Sequence, residues 1–446
     1  MIGRFPWDPF PPGEPAPGGD DPLLAAVYRG AVEGADAYRG VRSAVRREAG
    51  VLRVGNRFVP DGRYREVGFV ALGHAASSMA LAALHVFGDR LTQGFIAGPE
   101  EPPASVPFRS EKVPDGWGGD PAASRVVEAA RDIAGALRES DLFLLLLSPG
   151  ATRALLLPPP GVDAGTWASI LERIYAQGAS TAEVSTVVRV LGSGGVGGRL
   201  LPSGLATDVQ VLLVDRGDGP VAVGGGPTYP LDAEERARAR ATLERTGTLA
   251  KLPPTALTPL SPGAELPGLR RRPVVVAAPA EAIRAAGDTA FDKGWTARVG
   301  ALGLNARPDE VARRFLESVE AVVAAERQGE GSRSKGIAVF ATTNLDVPEG
   351  VAERPACEAF LRAARAGLRR REMSVGVFRT AGPTGARPDF AGGVIGTPAD
   401  PASKAPTDVV RGVRMPAGIT DVGLLAAALV PAPATTKGGS ARNGSR

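Results

Sequence analysis

What most constrains this chain is an alternation of short, uninterrupted apolar runs with longer stretches whose apolar residues recur at helical spacing. The runs fall at residues 67–72, 141–147, 209–214, 273–277, 337–341 and 374–378. The helical patterns fall at 23–48, 75–86, 124–137, 167–175, 280–293, 309–328 and 357–371. A run of four to seven apolar residues with no polar alternation is a strand covered on both faces. In a chain this rich in helices, that predicts parallel sheets and α/β architecture. Apart from the generic strand, glycine turn and helix unit, the sequence carries no internal repeat.

The Pro-rich stretch 252–269 (LPPTALTPLSPGAELPGL) divides two such blocks and reads as a linker. The expected organisation is a parallel-sheet, Rossmann-like N-terminal domain over 23–251 and a smaller α/β domain over 270–432. A site would then lie at the carboxyl ends of strands, in the cleft between the lobes. Glycine (58) and proline (40) are in excess but follow no G-X-Y period, which excludes collagen and leaves loops and soft ends. The ends 1–22 and 433–446 are too poor in apolar residues to offset their ordering entropy and are expected to be mobile. Phe5, Trp7 and Phe10 suit either a docking peptide or a segment lying along its own domain.

One cysteine, Cys357, excludes an internal disulfide and any cysteine-built cluster, and two histidines, His74 and His85, exclude a multi-histidine metal centre. Lys+Arg 52 against Asp+Glu 48 leaves +4, near balance for this size, so neither a nucleic-acid nor a membrane partner is expected. The arginine triplets 270–272 and 369–371 read as solvated surface. The start of the chain lacks the apolar core of a signal peptide, and the longest apolar runs fall far short of a membrane span. A soluble protein of the reducing cytoplasm is the expectation.

Four segments can carry chemistry. The strand 67–72 turns at Gly73-His74 into a helix whose first amides face an anion as readily as they make a plain turn. The run 141–147 delivers Ser148, Pro149, Gly150 and Thr152 onto a turn. Residues 183–189, ending at Arg189, precede Gly192-Ser193-Gly194-Gly195-Val196-Gly197-Gly198-Arg199, dense enough in glycine for a nest of amides but without Walker spacing. Finally, the strand 209–214 ends at Asp215, a position that often holds Mg²⁺ and as often caps a turn, and Gly224-Gly225-Gly226-Pro227-Thr228 follows.

Taken in order, these segments resemble the class II glycerate 2-kinases, two-lobed proteins with a C-terminal MOFRL-type domain. Gly73-His74-Ala75-Ala76 is similar to that family's Gly-Lys-Ala-Ala, and 148–156 to its Ser-Gly-Gly-Gly-Ser-Ala-Leu-Leu. Residues 183–189 are similar to its Glu-Ile-Asn-Thr-Val-Arg-Lys, 197–200 to its Gly-Gly-Arg-Leu, and 224–228 to its Ala-Ser-Gly-Pro-Thr. The resemblance covers roughly 25–430 and implies ATP-dependent phosphorylation of D-glycerate at its 2-position with Mg²⁺. It implies a metal at Asp215 and phosphate around Gly73, Gly150, Thr152, Gly194, Gly195, Gly197, Gly198, Gly226 and Thr228. Ser148 and Thr152 would contact substrate, and His74, Arg189 or Arg354 would stabilise the transferring group.

The departures bear on activity. His74 replaces the family's lysine, Pro149 removes an amide from the catalytic turn, and Arg153 intrudes there. Ser185, Val188 and Val196 replace an asparagine, an arginine and a lysine, and Ala381 replaces an aspartate in the second lobe. Phosphoryl transfer rests on positioning and fixed positive charge, and one lost donor costs about 2.7–4 kcal/mol of barrier. Three losses would cost roughly 8–12 kcal/mol if they simply added, which such effects do not. The expected function is therefore a glycerate-kinase-like protein with impaired or lost catalysis, kept as a binding or structural subunit with a protein partner. The alternative is an active kinase using Mg²⁺, ATP and glycerate or another small hydroxy acid.

Overall fold

The computed structural model describes residues 22–99, 101–102, 106–113, 121–217, 219, 221–261, 271–328, 334–345, 353–367, 373–379, 392–395 and 424–432. The tails 1–21 and 433–446, Asp218 and Ala381 lie outside them.

The chain opens with helices α1 (Pro22–Gly34) and α2 (Ala37–Ala44), separated at Asp36, which N-caps α2 by accepting the Tyr38 N–H. The helix expected to run to residue 48 stops here. Residues 45–60 form an antiparallel meander, β1 (Val45–Glu48), β2 (Val51–Val54) and β3 (Arg57–Pro60). Ala49 and Gly50, both at positive φ, make the two-residue turn between β1 and β2, and that turn chemistry overrides the helical spacing upstream.

The first sheet comprises β4 (Val67–Leu72), β5 (Leu91–Gly98), β6 (Arg109–Lys112), β7 (Leu142–Leu147), β10 (Asp208–Val214) and β11 (Val274–Ala277), all parallel, in the order β11-β10-β7-β4-β5-β6. Every residue of β4 and β7 is buried, as unbroken apolar runs require. Their side chains alternate between two cores: Phe69, Leu144 and Leu146 face α1, α2 and α3 (Ala76–Phe87). Val70, Phe143 and Leu145 face α4 (Pro121–Ala136), α6 (Ala164–Ala176), α7 (Thr181–Leu191) and α8 (Ala233–Arg245). Between β7 and α6 lie the short α5 (Ala151–Leu155) and β8 (Leu156–Leu157), which pairs with β9 (Ser193–Gly194).

The stretch read as a linker is built into this lobe at its start: Leu252, Ala256 and Leu260, around α9 (Pro254–Leu257), are buried in the second core. Residues 262–270 lie outside the described set. Strand β11 follows and hydrogen-bonds to β10, so residues 274–277 belong to the first sheet and not to the second lobe.

Helix α10 (Pro279–Asp292) leads into the second sheet, β12 (Thr296–Ala306), β13 (Gly336–Leu345), β14 (Ser374–Arg379), β15 (Gly392–Ile395) and β16 (Leu424–Pro431), ordered β12-β13-β16-β14-β15. Only β12 and β13 are parallel; β16 runs antiparallel between β13 and β14. One face packs on α11 (Pro308–Gln328) and α12 (Glu353–Gly367). The other face, through Phe340, Leu425 and Leu429, shares the first core with α1 and α10. Helices α1 and α10 thus pack on the second sheet and α2 and α3 on the first, all in one continuous apolar body.

Candidate active site

From β4 the chain builds β5 and β6 to one side, then returns to place β7, β10 and β11 on the other. The loops after β4 and β7 therefore diverge, and in doubly wound sheets the crevice at this switch point is where ligands bind. Those loops are Gly73-His74-Ala75 and Ser148-Pro149-Gly150, two segments that the sequence singles out.

Here they are bonded to each other. The His74 N–H donates to the Pro149 carbonyl at 2.9 Å. The Ser148 hydroxyl donates to the Leu72 carbonyl at 2.9 Å and accepts the Ala75 N–H at 3.0 Å. Ser148 is fully buried, so its hydroxyl ties the turns together and does not face a substrate, as the resemblance had implied. Gly73 is needed for the approach: its φ is +101°, and a Cβ there would lie 2.4 Å from the Ser148 carbonyl oxygen. The His74 ring, half-buried, lies against Gly150, whose own Cβ would stand 2.8 Å from it.

The glycine-rich segments meet in the same way. Gly195 donates to Leu155 at 2.9 Å, Gly197 to Gly225 at 2.7 Å and Gly198 to Gly226 at 2.8 Å, while Gly194 sits in β9. The expected open nest of amides is thus an interlock of two loops, its N–H groups directed at carbonyls. Thr152, in α5, brings its methyl to Gly225, and Thr228 is buried with its hydroxyl 3.4 Å from the Arg271 carbonyl.

Arg189 ends α7 beneath this interlock, buried and ion-paired with Glu235. Burial pushes its guanidinium down, and the Glu235 charge opposes that shift. A Cβ on Gly226 would lie 2.9 Å from its Nε, so the loop rests on the guanidinium. Glu235 also accepts the Asp232 N–H at 3.2 Å as the third residue of the capping box that starts α8. Arg199 turns back on α7 and donates to the carbonyls of Arg189, Val190, Gly192 and Val196 at 2.8–3.3 Å. Burial, with the Arg189 charge adding, pushes Arg199 down to about 10. From α4, Arg131 reaches the carbonyls of Gly194, Arg199 and Leu200. Sequence reading missed Arg131, which carries no motif, and Glu235, whose capping-box position was visible in Asp232-Ala233-Glu234-Glu235.

Asp215 follows β10, and its Oδ1 accepts the N–H groups of Gly217 (2.9 Å) and Gly219 (3.2 Å). Among the described residues no three His, Cys, Asp or Glu side chains gather to hold a metal ion. One carboxylate already engaged by its own turn is a poor fit to a preformed Mg²⁺ site. Arg354 lies in the first turn of α12, in the other lobe. Among the described residues no helix is long and apolar enough to cross a membrane.

Fold and site together define a doubly wound α/β protein with glycine turns at its switch point and a second, mixed sheet. A family model described as a domain of unknown function, DUF4147, matches residues 23–261, just over half of the chain, and the chain belongs to that family. A glycerate kinase from Danio rerio is 29% identical over 224 residues, 47% of this chain and 44% of that protein. A D-glycerate 2-kinase from Thermotoga maritima is 28% identical over 186 residues, 40% of this chain and 43% of that protein. The matched stretch spans under half the length of either relative. A solved glycerate kinase structure from Thermotoga maritima superposes with a TM-score of 0.67 at 20% identity, covering 92% of this chain and 98% of that one. A Pyrococcus horikoshii protein does so with 0.63 at 18% over the same shares. These likenesses bear out the resemblance to the class II glycerate 2-kinases and the two-sheet fold.

Proposed function

We propose that this chain is a glycerate-kinase-like protein whose phosphoryl-transfer chemistry is impaired, and that it serves in the cytoplasm as a binding or structural subunit. The observation that carries the reading is the mutual engagement of the switch-point loops. The His74, Ala75, Gly197 and Gly198 amides and the Ser148 hydroxyl all bond to protein atoms. Pro149 has no amide to offer, and Arg189 is neutralised by Glu235. Phosphoryl transfer depends on positioned donors and fixed cations aimed at the moving group. Here such groups are turned inward.

A second reading, a diverged kinase for glycerate or another small hydroxy acid with Mg²⁺ and ATP, draws support from Arg153, which half-buried α5 presents beside Thr152. A coupled assay with D-glycerate and Mg²⁺–ATP separates the two. Turnover far below about 1 s⁻¹, the low end of ordinary enzymes, is expected, and turnover at or above it refutes the impaired reading. Calorimetric titration with Mg²⁺–ATP then distinguishes a chain that still binds nucleotide from one that does not.

A further inference from the structure

At the far end of α3 from the Gly73 turn, a solvent-open cleft of about 550 Å³ has Arg39, Arg42, Arg46, Arg47, Tyr38 and His85 in its lining, together with one carboxylate, Glu48. With 1.5 Å rise per residue, His85 stands about 15 Å along the helix from the switch-point loops. The cleft is separate from the site above.

Its four arginines are not equivalent. Arg47 is held on Asp61 by two bonds of 2.8 Å, and Arg39 lies 3.5 Å from Glu33 and 3.8 Å from Asp36. Arg42 is exposed and meets no carboxylate among the described residues; its contacts are the Tyr38 hydroxyl at 3.3 Å and the Tyr38 ring. Arg46 is exposed and among the described residues has only Glu48 at 3.9 Å, itself 74% exposed, and the Ser43 hydroxyl. The Tyr38 hydroxyl lies 2.6 Å from His85 Nδ1. Arg42 donates to the same hydroxyl oxygen, so Tyr38 links the Arg42 guanidinium to the His85 ring. Positive charge at Arg42 suits the carboxyl end of α2. That preference places one residue; it does not collect four guanidiniums and an imidazole in one concavity against a single carboxylate. Planar guanidinium forks match the oxygens of phosphoryl groups in pairs.

We propose that this cleft binds a small, multiply charged phosphoryl anion, a pyrophosphate moiety free or borne by a nucleotide, through Arg42, Arg46 and His85. With a whole-chain charge of only +4, a small ligand fits better than a nucleic acid.

The test is calorimetric titration of the full chain with sodium pyrophosphate, and separately with ADP without Mg²⁺, at matched ionic strength. Pyrophosphate is expected to bind with a dissociation constant below about 1 mM and to weaken at least tenfold in Arg42→Ala/Arg46→Ala. His74→Ala is expected to leave it unchanged. Equal affinity for both anions identifies the diphosphate as the recognised group, and tighter ADP binding identifies a nucleotide source; both support the cleft. Circular dichroism of the double variant checks its fold, and Arg46→Glu provides a second, single-site test by charge reversal. No binding to the wild type, loss in His74→Ala with retention in the double variant, or displacement of pyrophosphate by a short DNA duplex at lower concentration overturns the proposal.

Discussion

Replacing Glu235 by glutamine removes the charge that holds the interlocked loops. Glutamine keeps one oxygen to accept the Asp232 N–H, so the capping box of α8 survives, while its amide nitrogen takes the place of the oxygen that accepts from Arg189 and the negative charge is lost. Arg189 then stays in place with its side chain 6% exposed, its Tyr229 carbonyl contact at 3.4 Å and no counter-charge. Removing one member of a buried pair costs about 3–5 kcal/mol, chiefly the uncompensated charge left behind. Replacing both members by apolar residues removes that charge. Arg189→Met/Glu235→Leu should therefore lose only the cap, about 1 kcal/mol, plus packing adjustments. Urea unfolding followed by far-ultraviolet circular dichroism measures both variants through the shift in midpoint. The double variant should be more stable than Glu235→Gln alone. A loss below about 1 kcal/mol in Glu235→Gln, or a double variant no better than the single, would show that Arg189 is solvated and does not support Gly226.

Gly73→Ala should destabilise by roughly 3 kcal/mol or more, since positive φ and a backbone clash both oppose the methyl; a denaturation midpoint within error of wild type would refute the close approach of the two turns. Tyr64, donating to Asp208 at 2.5 Å, has its hydroxyl pushed up to about 12 by burial and by that hydrogen bond. A raised pKa means its contribution is full below the unfolded value near 10 and is lost as pH rises toward about 12, so Tyr64→Phe should flatten the alkaline loss of stability over that window, read by melting temperature against pH. His74→Lys alone should not restore kinase turnover, and a thousandfold gain, about 4 kcal/mol of barrier, would show that the remaining site is intact.

The parts of the fold legible in the sequence are those set by local pattern. The runs at 67–72, 141–147 and 209–214 could only be strands covered on both faces, and they became the centre of the first sheet. Strand β5 escaped notice because Leu91–Gly98 mixes polar residues and glycine with its apolar ones, its burial coming from position in the sheet. Strand β16 is not among the runs singled out as strands, and nothing local says that 424–431 returns to lie between β13 and β14. For the site, the motifs single out the turns after β4 and β7, which the folded chain bonds to each other at the switch point. What each amide and hydroxyl does there was not legible, because it depends on partners such as Pro149 for His74 and Gly225 for Gly197, which only the folded chain brings within reach.

The departures from the glycerate kinase pattern share one physical consequence. Val196 packs against Gly225, whose Cβ would lie 2.7 Å from its Cγ1, so an apolar side chain stands in the interlock where the family has a cation. Pro149 still supplies a carbonyl, and that carbonyl takes the His74 amide. Val188 is wholly buried in the second core, where the family's arginine would need a partner of its own. At Val196 and Val188 an apolar side chain packed within the protein stands where the family's cation would need a ligand, water or counter-charge. Orphaned buried donors cost about 1–3 kcal/mol apiece, so closing such a site tends to stabilise the empty chain. Between the Gly73 and Gly150 turns, the bond from the His74 amide to the Pro149 carbonyl joins the two loops directly.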